Sequence, residues 1–541
     1  MSLQPAPPDL AKEDKERETN VLIEAAPGSP AKAAEGDGPE RPLSPAAWLR
    51  MLARELHWSF VLGVVATYGV SQGLGGGINR VASDYYWKDV QRVQPSVAQV
   101  YQGITSIPWM VKPLWGLLTD VLPVAGYRRR PYFILAGFIG VIAMLIISLH
   151  SKLHALFALL ALMVGSASVA IADVTIDACV AENSILYPHL AADMISLNGF
   201  CSSVGGLIGF SISGFLVHAI GAQGALGLLT IPSALVVLSG MLLKEVHTPN
   251  FPYGQAHKKF VEASGKMLTA LKCPEVWRPC VYMYVSLALS VDIQEGMFYW
   301  YTDRKAGLSF HEGFIGFMFA VGSVGSLVGV LLYQNILKDH PFRSVLFSSQ
   351  LLLSLSGMLD LILVLRLNLK MGIPDYYFAV IDEGVSKMIN RVKWMPLLVL
   401  SSKLCPTGIE GTFYALLMSI DNIGTLTGSW FGGLLLHLLR ITRTEFKNLW
   451  VAIIIRNVMR LLPLALLFLV PSSDPNSTLL PFDLLNEDDD AEAHQMEDIE
   501  LTSLDVDRAS FPKKSVQECR NREGHDVEQD DDEVSLLANR S

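Results

Sequence analysis

The chain has 541 residues, 51% of them hydrophobic and only 17% charged, with a mean hydropathy of +0.35. That balance excludes an ordinary soluble enzyme, in which about a quarter of residues are charged, and it excludes disorder along the whole length. The net charge of −10 conceals three regions: residues 1–50 carry 6 basic against 9 acidic side chains, residues 472–541 carry 6 against 20, and the stretch between is basic, at +7. A basic, oily core between two acidic tails is the composition of a polytopic membrane protein.

Residues 1–50 are rich in Pro, Ala and Glu and hold too little apolar surface to fold alone, so they read as a disordered tail. They lack the apolar stretch of a signal peptide and are too acidic for an organelle transit peptide, which favours the plasma membrane or the vacuolar and endomembrane system over the plastid envelope. Glu18 stands ahead of Leu22-Ile23, and Asp532 ahead of Leu536-Leu537, two acidic-dileucine arrangements of the kind that sorting adaptors bind.

A helix needs about 20 apolar residues to cross a hydrocarbon slab of about 30 Å. About twelve stretches qualify: 58–77, 95–119, 131–150, 153–177, 191–220, 222–243, 278–302, 310–335, 342–366, 375–401, 408–438 and 446–470. The expectation is an all-α polytopic membrane protein with one six-helix half over 51–243 and a second over 278–471, joined by a central loop over 244–277. Gly73-Leu74-Gly75-Gly76-Gly77 lacks the Lys-Ser/Thr of a phosphate loop and reads as the end of the first helix. Gly205, Gly206 and Gly209, and likewise Gly322, Gly325 and Gly329, form small-residue faces that let helices approach closely in lipid. Lys and Arg cluster in alternate loops, at Arg128-Arg129-Arg130, in 244–277 and at Lys338 and Arg343, which puts both termini and the central loop in the cytoplasm. Residues 472–541, with runs such as Glu487-Asp488-Asp489-Asp490, read as a second disordered cytoplasmic tail.

Charges inside spans are costly, and they line cavities or pair with one another. In span 4, Asp173 and Asp177 share a helical face, and Glu182 follows. They either border a solute or proton path or mark a helix end that meets water. In span 7, Asp292 lies about a dozen residues from either end, with Glu295 beside it. Span 10 carries Asp382 and Lys393 and a stripe of Glu383, Lys387 and Arg391 at four-residue spacing. That stripe is either self-neutralised or offers Lys387 or Arg391 to an anionic solute. In span 2, Lys112 either snorkels or pairs with a span-4 acid. Tyr85, Tyr86 and Trp87, and Phe298 to Tyr301, sit at span ends, either as interfacial belts or as a stacking surface for an aromatic solute. The six cysteines are scattered, no metal-ligand spacing occurs, and no catalytic motif has its context, so neither a cofactor, a metal nor an enzyme is expected. Nothing points to nucleic acid.

Gly116-xxx-Asp120 followed by Gly126-Tyr127-Arg128-Arg129-Arg130 resembles the loop signature of the major facilitator superfamily, in which an acid and a basic cluster lock a cytoplasmic gate. Lys112-Pro113-xx-Gly116-xxx-Asp120, with Gly126 to Arg130 and Asp173-Val174-Thr175-Ile176-Asp177-Ala178 ahead of Glu182, is similar in particular to the folate-biopterin transporter family, most of all to its plant members. The resemblance covers about 55–470. It implies two six-helix halves, alternating access around a central site, and proton symport of folates or pterins, which are flat anions. Another anionic metabolite on the same scaffold, or a membrane sensor signalling through its tails, are the alternatives.

Overall fold

The structure, a computed structural model, describes residues 45–150, 152–187, 190–245, 247, 261, 265, 267–405 and 410–471. Both acidic tails, with Leu22, Ile23, Leu536 and Leu537, and most of the central loop lie outside the described residues. Among the described residues the chain is helical, and the one extended pairing is an isolated bridge from Val124 to Tyr127.

Helix α1 (Pro45–Glu55) precedes α2, which runs unbroken from Trp58 to Val90. The glycine run at 73–77 therefore does not end the first helix. It continues, with π-helical turns over Val65–Leu74, because those glycines are contact surface rather than punctuation. The second span is broken: α3 (Pro95–Thr105) and α4 (Lys112–Val121) each carry a proline in the first turn, Pro95 and Pro113, which suits that position but cannot continue a preceding helix. Next come α5 (Arg130–Leu149), α6 (Ala155–Leu186), α7 (Ala191–Gly227) and α8 (Thr230–Leu242). Within α7 the chain turns at Gly221, whose φ of 75° only glycine adopts without strain. The seventh span is again two pieces, α9 (Pro274–Ala288) and α10 (Gln294–Thr302). Then follow α11 (Glu312–Leu332), α12 (Phe342–Val364), α13 (Asp375–Lys403), α14 (Glu410–Leu438) and α15 (Leu449–Met459), the last extended by a 3-10 segment, Leu462–Leu469.

Seven stretches among the described residues are long and apolar enough to cross a membrane on those criteria alone, and one, Asp193–Leu242, has length for two crossings. The second, seventh, tenth and eleventh expected spans are too polar or too broken to join them. These are the segments whose polar groups are answered by protein rather than lipid.

The chain separates into two compact units, with boundaries at 83/84, 122/123 and 251/252. In the first, α5 packs on α6 and α8, and α7 packs on the π-helical part of α2. In the second, α13 packs on α11 and α12, and α14 packs on α3 and α9. Within the first, a Cβ on Gly205 would stand 2.0 Å from the Gly69 carbonyl oxygen, and one on Gly209 2.4 Å from that of Leu74. Within the second, a Cβ on Gly325 would stand 2.2 Å from the Gly384 carbonyl oxygen. Both small-residue faces are thus backbone-to-backbone crossings, as van der Waals association in lipid requires.

The tightest crossing is at Gly432 of α14, where a Cβ would fall 1.6 Å from the carbonyl oxygen of Asp292. Gly432→Ala is expected to cost about 1–3 kcal/mol by overpacking, seen as a lower thermal unfolding midpoint of the detergent-solubilised protein. Gly206→Ala, with nothing within 4 Å of its Cβ, should leave the midpoint unchanged.

Candidate functional site

The second unit's site is built around the interruption between α9 and α10. Residues 289–293 leave the helix, with Val291 at a φ of 38°. A broken helix exposes carbonyls at one end and N–H groups at the other, and in a membrane each needs a protein partner. On the carbonyl side, Lys393 Nζ donates to Ser286 O at 3.3 Å, and Arg460 Nε donates to Ser290 O at 3.4 Å. On the N–H side, Gln294 N donates to Asp292 Oδ1 at 2.9 Å, and Glu295 N donates to Gln99 Oε1 at 3.0 Å. The Gln99 amide nitrogen then donates to Asp292 Oδ2 (3.1 Å) and to Ser429 Oγ (2.9 Å), while Asp292 N donates to Gly428 O (3.0 Å). Cations at the carbonyl end and a carboxylate at the N–H end also complement the dipoles of the two half-helices.

Beside the break lies a cavity of about 310 Å³. Its charged lining comes from Asp292, from Asp360 of α12, from Asp382, Glu383 and Lys387 of α13, and from Arg456 and Arg460 at the C-terminal end of α15. Arg456 NH2 stands 2.6 Å from Asp360 Oδ2, and Lys387 Nζ stands 3.5 Å from Glu383 Oε1. The Ser386 hydroxyl donates to Asp382 Oδ1 at 3.1 Å. The stripe read from the sequence therefore divides. Its Glu383–Lys387 pair is intrahelical and lines the cavity, whereas Arg391 lies over the Trp394 ring, 4.8 Å from its centroid. Glu295 is fully buried, in the first turn of α10. Lys112 begins α4 and stands 6.0 Å from the Trp109 ring centroid.

The aromatic groups are not surface belts. Tyr85, Tyr86, Trp87 and Phe298 to Trp300 are all buried, and Tyr85 meets Phe298 edge-to-face at 5.0 Å. Tyr85 also borders a second cavity, of about 900 Å³, with Lys88, Asp303, Arg304, His311 and Arg443. The sequence reading passed over Gln99, Asp360, Arg456 and Arg460. The last three were open to the same test that found Asp292, since each is a charge inside an apolar stretch, but Gln99 carries no charge to betray it.

In the first unit, two polar residues of the π-helical stretch of α2 meet the span-4 acids. Gln72 Nε2 donates to Asp173 Oδ1 at 2.6 Å, and the Tyr68 hydroxyl donates to Asp177 Oδ1. Asp173 is buried, and Gln72 and Tyr68 are four apart, matching the spacing of the acids they hold.

The basic triplet is engaged at the end of the same unit. The backbone N–H groups of Arg128, Arg129 and Arg130 donate to the Glu245 carboxylate at 2.5, 2.9 and 2.9 Å, so Glu245 caps α5. The Arg129 side chain reaches Glu182 at 2.8 Å. Arg130 covers the Tyr127 ring and donates to the carbonyls of Gly240 and Met241, closing the end of α8. Gly126, at a φ of 76°, packs so closely on His247 that a Cβ would lie 2.4 Å from its Nε2. Gly116 accepts the Thr119 hydroxyl on α4, and the side chain of Asp120 lies outside the described residues. Among the described residues no group of three His, Cys, Asp or Glu side chains suits a metal ion.

Residues 72–480 match the BT1 family. Among curated relatives, the "Probable folate-biopterin transporter 2" of Arabidopsis thaliana is 58% identical over 469 residues, covering 86% of this chain and 94% of that one. The "Folate-biopterin transporter" of Synechocystis sp. is 34% identical over 418 residues, covering 77% and 82%. Among solved structures, the nucleoside transporter NupG superposes with a TM-score of 0.57 at 12% identity, covering 77% of this chain and 99% of that one. A D-xylose-proton symporter superposes at 0.53 and 13%, covering 77% and 98%. At such identities the likeness carries the fold alone, the helical fold that those two transporters share with this chain.

Because Glu245 answers three N–H groups at the start of α5, Glu245→Ala is expected to remove roughly 1–2 kcal/mol of stability, the cost of a lost helix cap. Thermal unfolding with and without the substitution checks it, and Glu245→Gln, which keeps an acceptor, should fall between the two.

Proposed function

The chain belongs to the BT1 family, and from that membership and its charged interior we propose a secondary active transporter, not an enzyme, that moves folates or pterins by alternating access, driven by protons. Both acidic tails face the cytoplasm in this reading. The observation that supports it most is the interrupted helix beside a charged cavity. Half-helix ends and paired ions make a polar pocket inside an otherwise apolar bundle, a costly arrangement that serves solutes.

A folate carries carboxylates and a flat ring, and Lys387, Arg456 and Arg460 are the cations that face the cavity. Guanidinium groups match carboxylates with two parallel hydrogen bonds, and Lys387 offers a point charge. Asp173 and Asp177 of the first unit, and Asp292 and Glu295 of the second, lie on the solute or proton path, with Lys112, Glu383 and Arg391 as supporting charges. Glu182 and the triplet Arg128 to Arg130, with Gly116, Asp120 and Gly126, serve the cytoplasmic gate. The dileucine pairs at Leu22-Ile23 and Leu536-Leu537 direct sorting to the plasma membrane or endomembranes.

Uptake of labelled folate and of a bare pterin into proteoliposomes, with and without an inward proton gradient, tests the reading. Gradient-driven uptake of either solute is expected. Asp292→Asn, which retains an acceptor for Gln294 but loses the charge facing Arg460, is expected to lower uptake at least tenfold with the protein still folded. Failure of both solutes to enter, from folded protein, would overturn the substrate while leaving the fold intact.

A further inference from the structure

The charges around the 310 Å³ cavity do not balance. Four carboxyl groups, Asp292, Asp360, Asp382 and Glu383, face three cations, Lys387, Arg456 and Arg460. Each cation is already engaged: Lys387 with Glu383, Arg456 with Asp360, and Arg460 with the carbonyl of Ser290 at the helix break. Two acids are left without a cation: Asp292 accepts from Gln294 N and from the Gln99 amide instead, and Asp382 has less. It is 3% exposed, its Oδ1 receives only the Ser386 hydroxyl, and its buried Oδ2 receives no donor. Asp360 stands beside it on the same cavity wall, from the helix packed against its own. Two carboxylates side by side, away from water, repel as anions and close as a hydrogen bond once one of them holds a proton. One proton also makes the cavity lining neutral.

The groups around Asp382 come from every side. Asp360 faces it from α12, Arg456 and Arg460 from the α15 end, Tyr301 from α10, and Glu383 and Lys387 from its own helix. Helix α11 contributes Phe319 and the bare backbone at Gly322, so nothing titratable arrives from there.

We propose that Asp360 and Asp382 share a resident proton in this transporter, and that Arg456 trades Asp360 for the carboxylate of the transported anion when a second, coupling proton arrives. The assignment rests on the transport reading above and names the residues that couple it. The second proton forms an O–H bond on Asp360, which ends that residue's ion pair with Arg456. The freed guanidinium then donates two N–H groups to a carboxylate of the solute. On the other side of the membrane, Asp360 releases the proton to water, reclaims Arg456 and displaces the anion. One proton and one negative charge move together, so the cavity is neutral in each state. By linkage, affinity for the anion rises as pH falls, by up to about tenfold per pH unit.

The full-length protein in lipid vesicles, with Asp382→Asn and separately with Asp360→Asn, decides the matter. Infrared spectra of the wild type at neutral pH should contain the carbonyl stretch of a buried protonated carboxylic acid, and Asp382→Asn should lack it. Asp360→Asn, fixed in the uncharged form that frees Arg456, should lose proton-driven accumulation of labelled folate at least tenfold, while folate–folate exchange persists and ceases to vary with pH. Retention of the band in Asp382→Asn, or undiminished accumulation by Asp360→Asn, would overturn the proposal. So would loss of exchange together with accumulation in folded Asp360→Asn, which would make Asp360 a binding or structural residue. The infrared readout needs no substrate, so a wild type that moves no folate would sink the substrate reading and leave the band to decide the pair. Asp382→Thr, which also removes the carboxyl, serves if the Asn variant does not fold.

Discussion

Backbone that leaves the helix over 289–293 has no water to turn to within a membrane-length stretch, so every group it frees must be answered by protein. The surrounding structure is organised by that demand. Gln99 turns its amide so that one residue serves Glu295 N, the Asp292 carboxylate and the Ser429 hydroxyl together. Gly428 and Gly432 bring α14 close enough for Asp292 to reach a backbone carbonyl. Lys393 and Arg460 are drawn to the carbonyl end, where the dipole of α9 favours cations. Once these groups are in place, a charged cavity beside them follows with little added cost, because the desolvated ions already have partners.

The ion pairs in that cavity are better understood as devices than as supports. A buried pair such as Arg456–Asp360 gains no more, on balance, than well-packed apolar side chains would, because desolvation offsets most of the attraction. Its value is that removing one partner leaves the other exposed to a large penalty, so an incoming charge or proton has strong leverage on it. The glycine crossings supply the complementary rigidity. Where α7 meets α2, and α11 meets α13, backbones touch without side chains between them, so each unit is held by close packing that does not consume polar groups.

The two units solve their polar problems differently. In the first, the span-4 acids are met by side chains from a π-helical stretch of α2, an irregularity that rotates Tyr68 and Gln72 onto the face of Asp173 and Asp177. At its end, Glu245, Glu182 and the three arginines knit α5, α6 and α8 together through backbone caps as much as through ion pairs. In the second, the irregularity is an outright break, and the answering groups are long cations.

Hydropathy and charge, read along the chain, determined the helical class, the positions of the long spans and the acids worth watching. Transfer from water to lipid depends on local composition, and a charge in an apolar stretch is conspicuous whatever surrounds it. The same reading placed Asp292 at mid-span but saw a continuous helix, since no proline or glycine stands at 289–293 to announce a break. It took Gly73 to Gly77 for a helix end because a glycine run looks alike whether it stops a helix or lets another one touch it. Only the tertiary structure decided which acids have cations, that Arg391 leaves the stripe for Trp394, and that Asp382 lies beside Asp360 without a cation of its own. Those outcomes depend on pairs such as Asp360 and Arg456, 96 residues apart in the chain, and on distances of a few ångströms. Periodicity assigns a residue to a face, and only packing determines what that face meets.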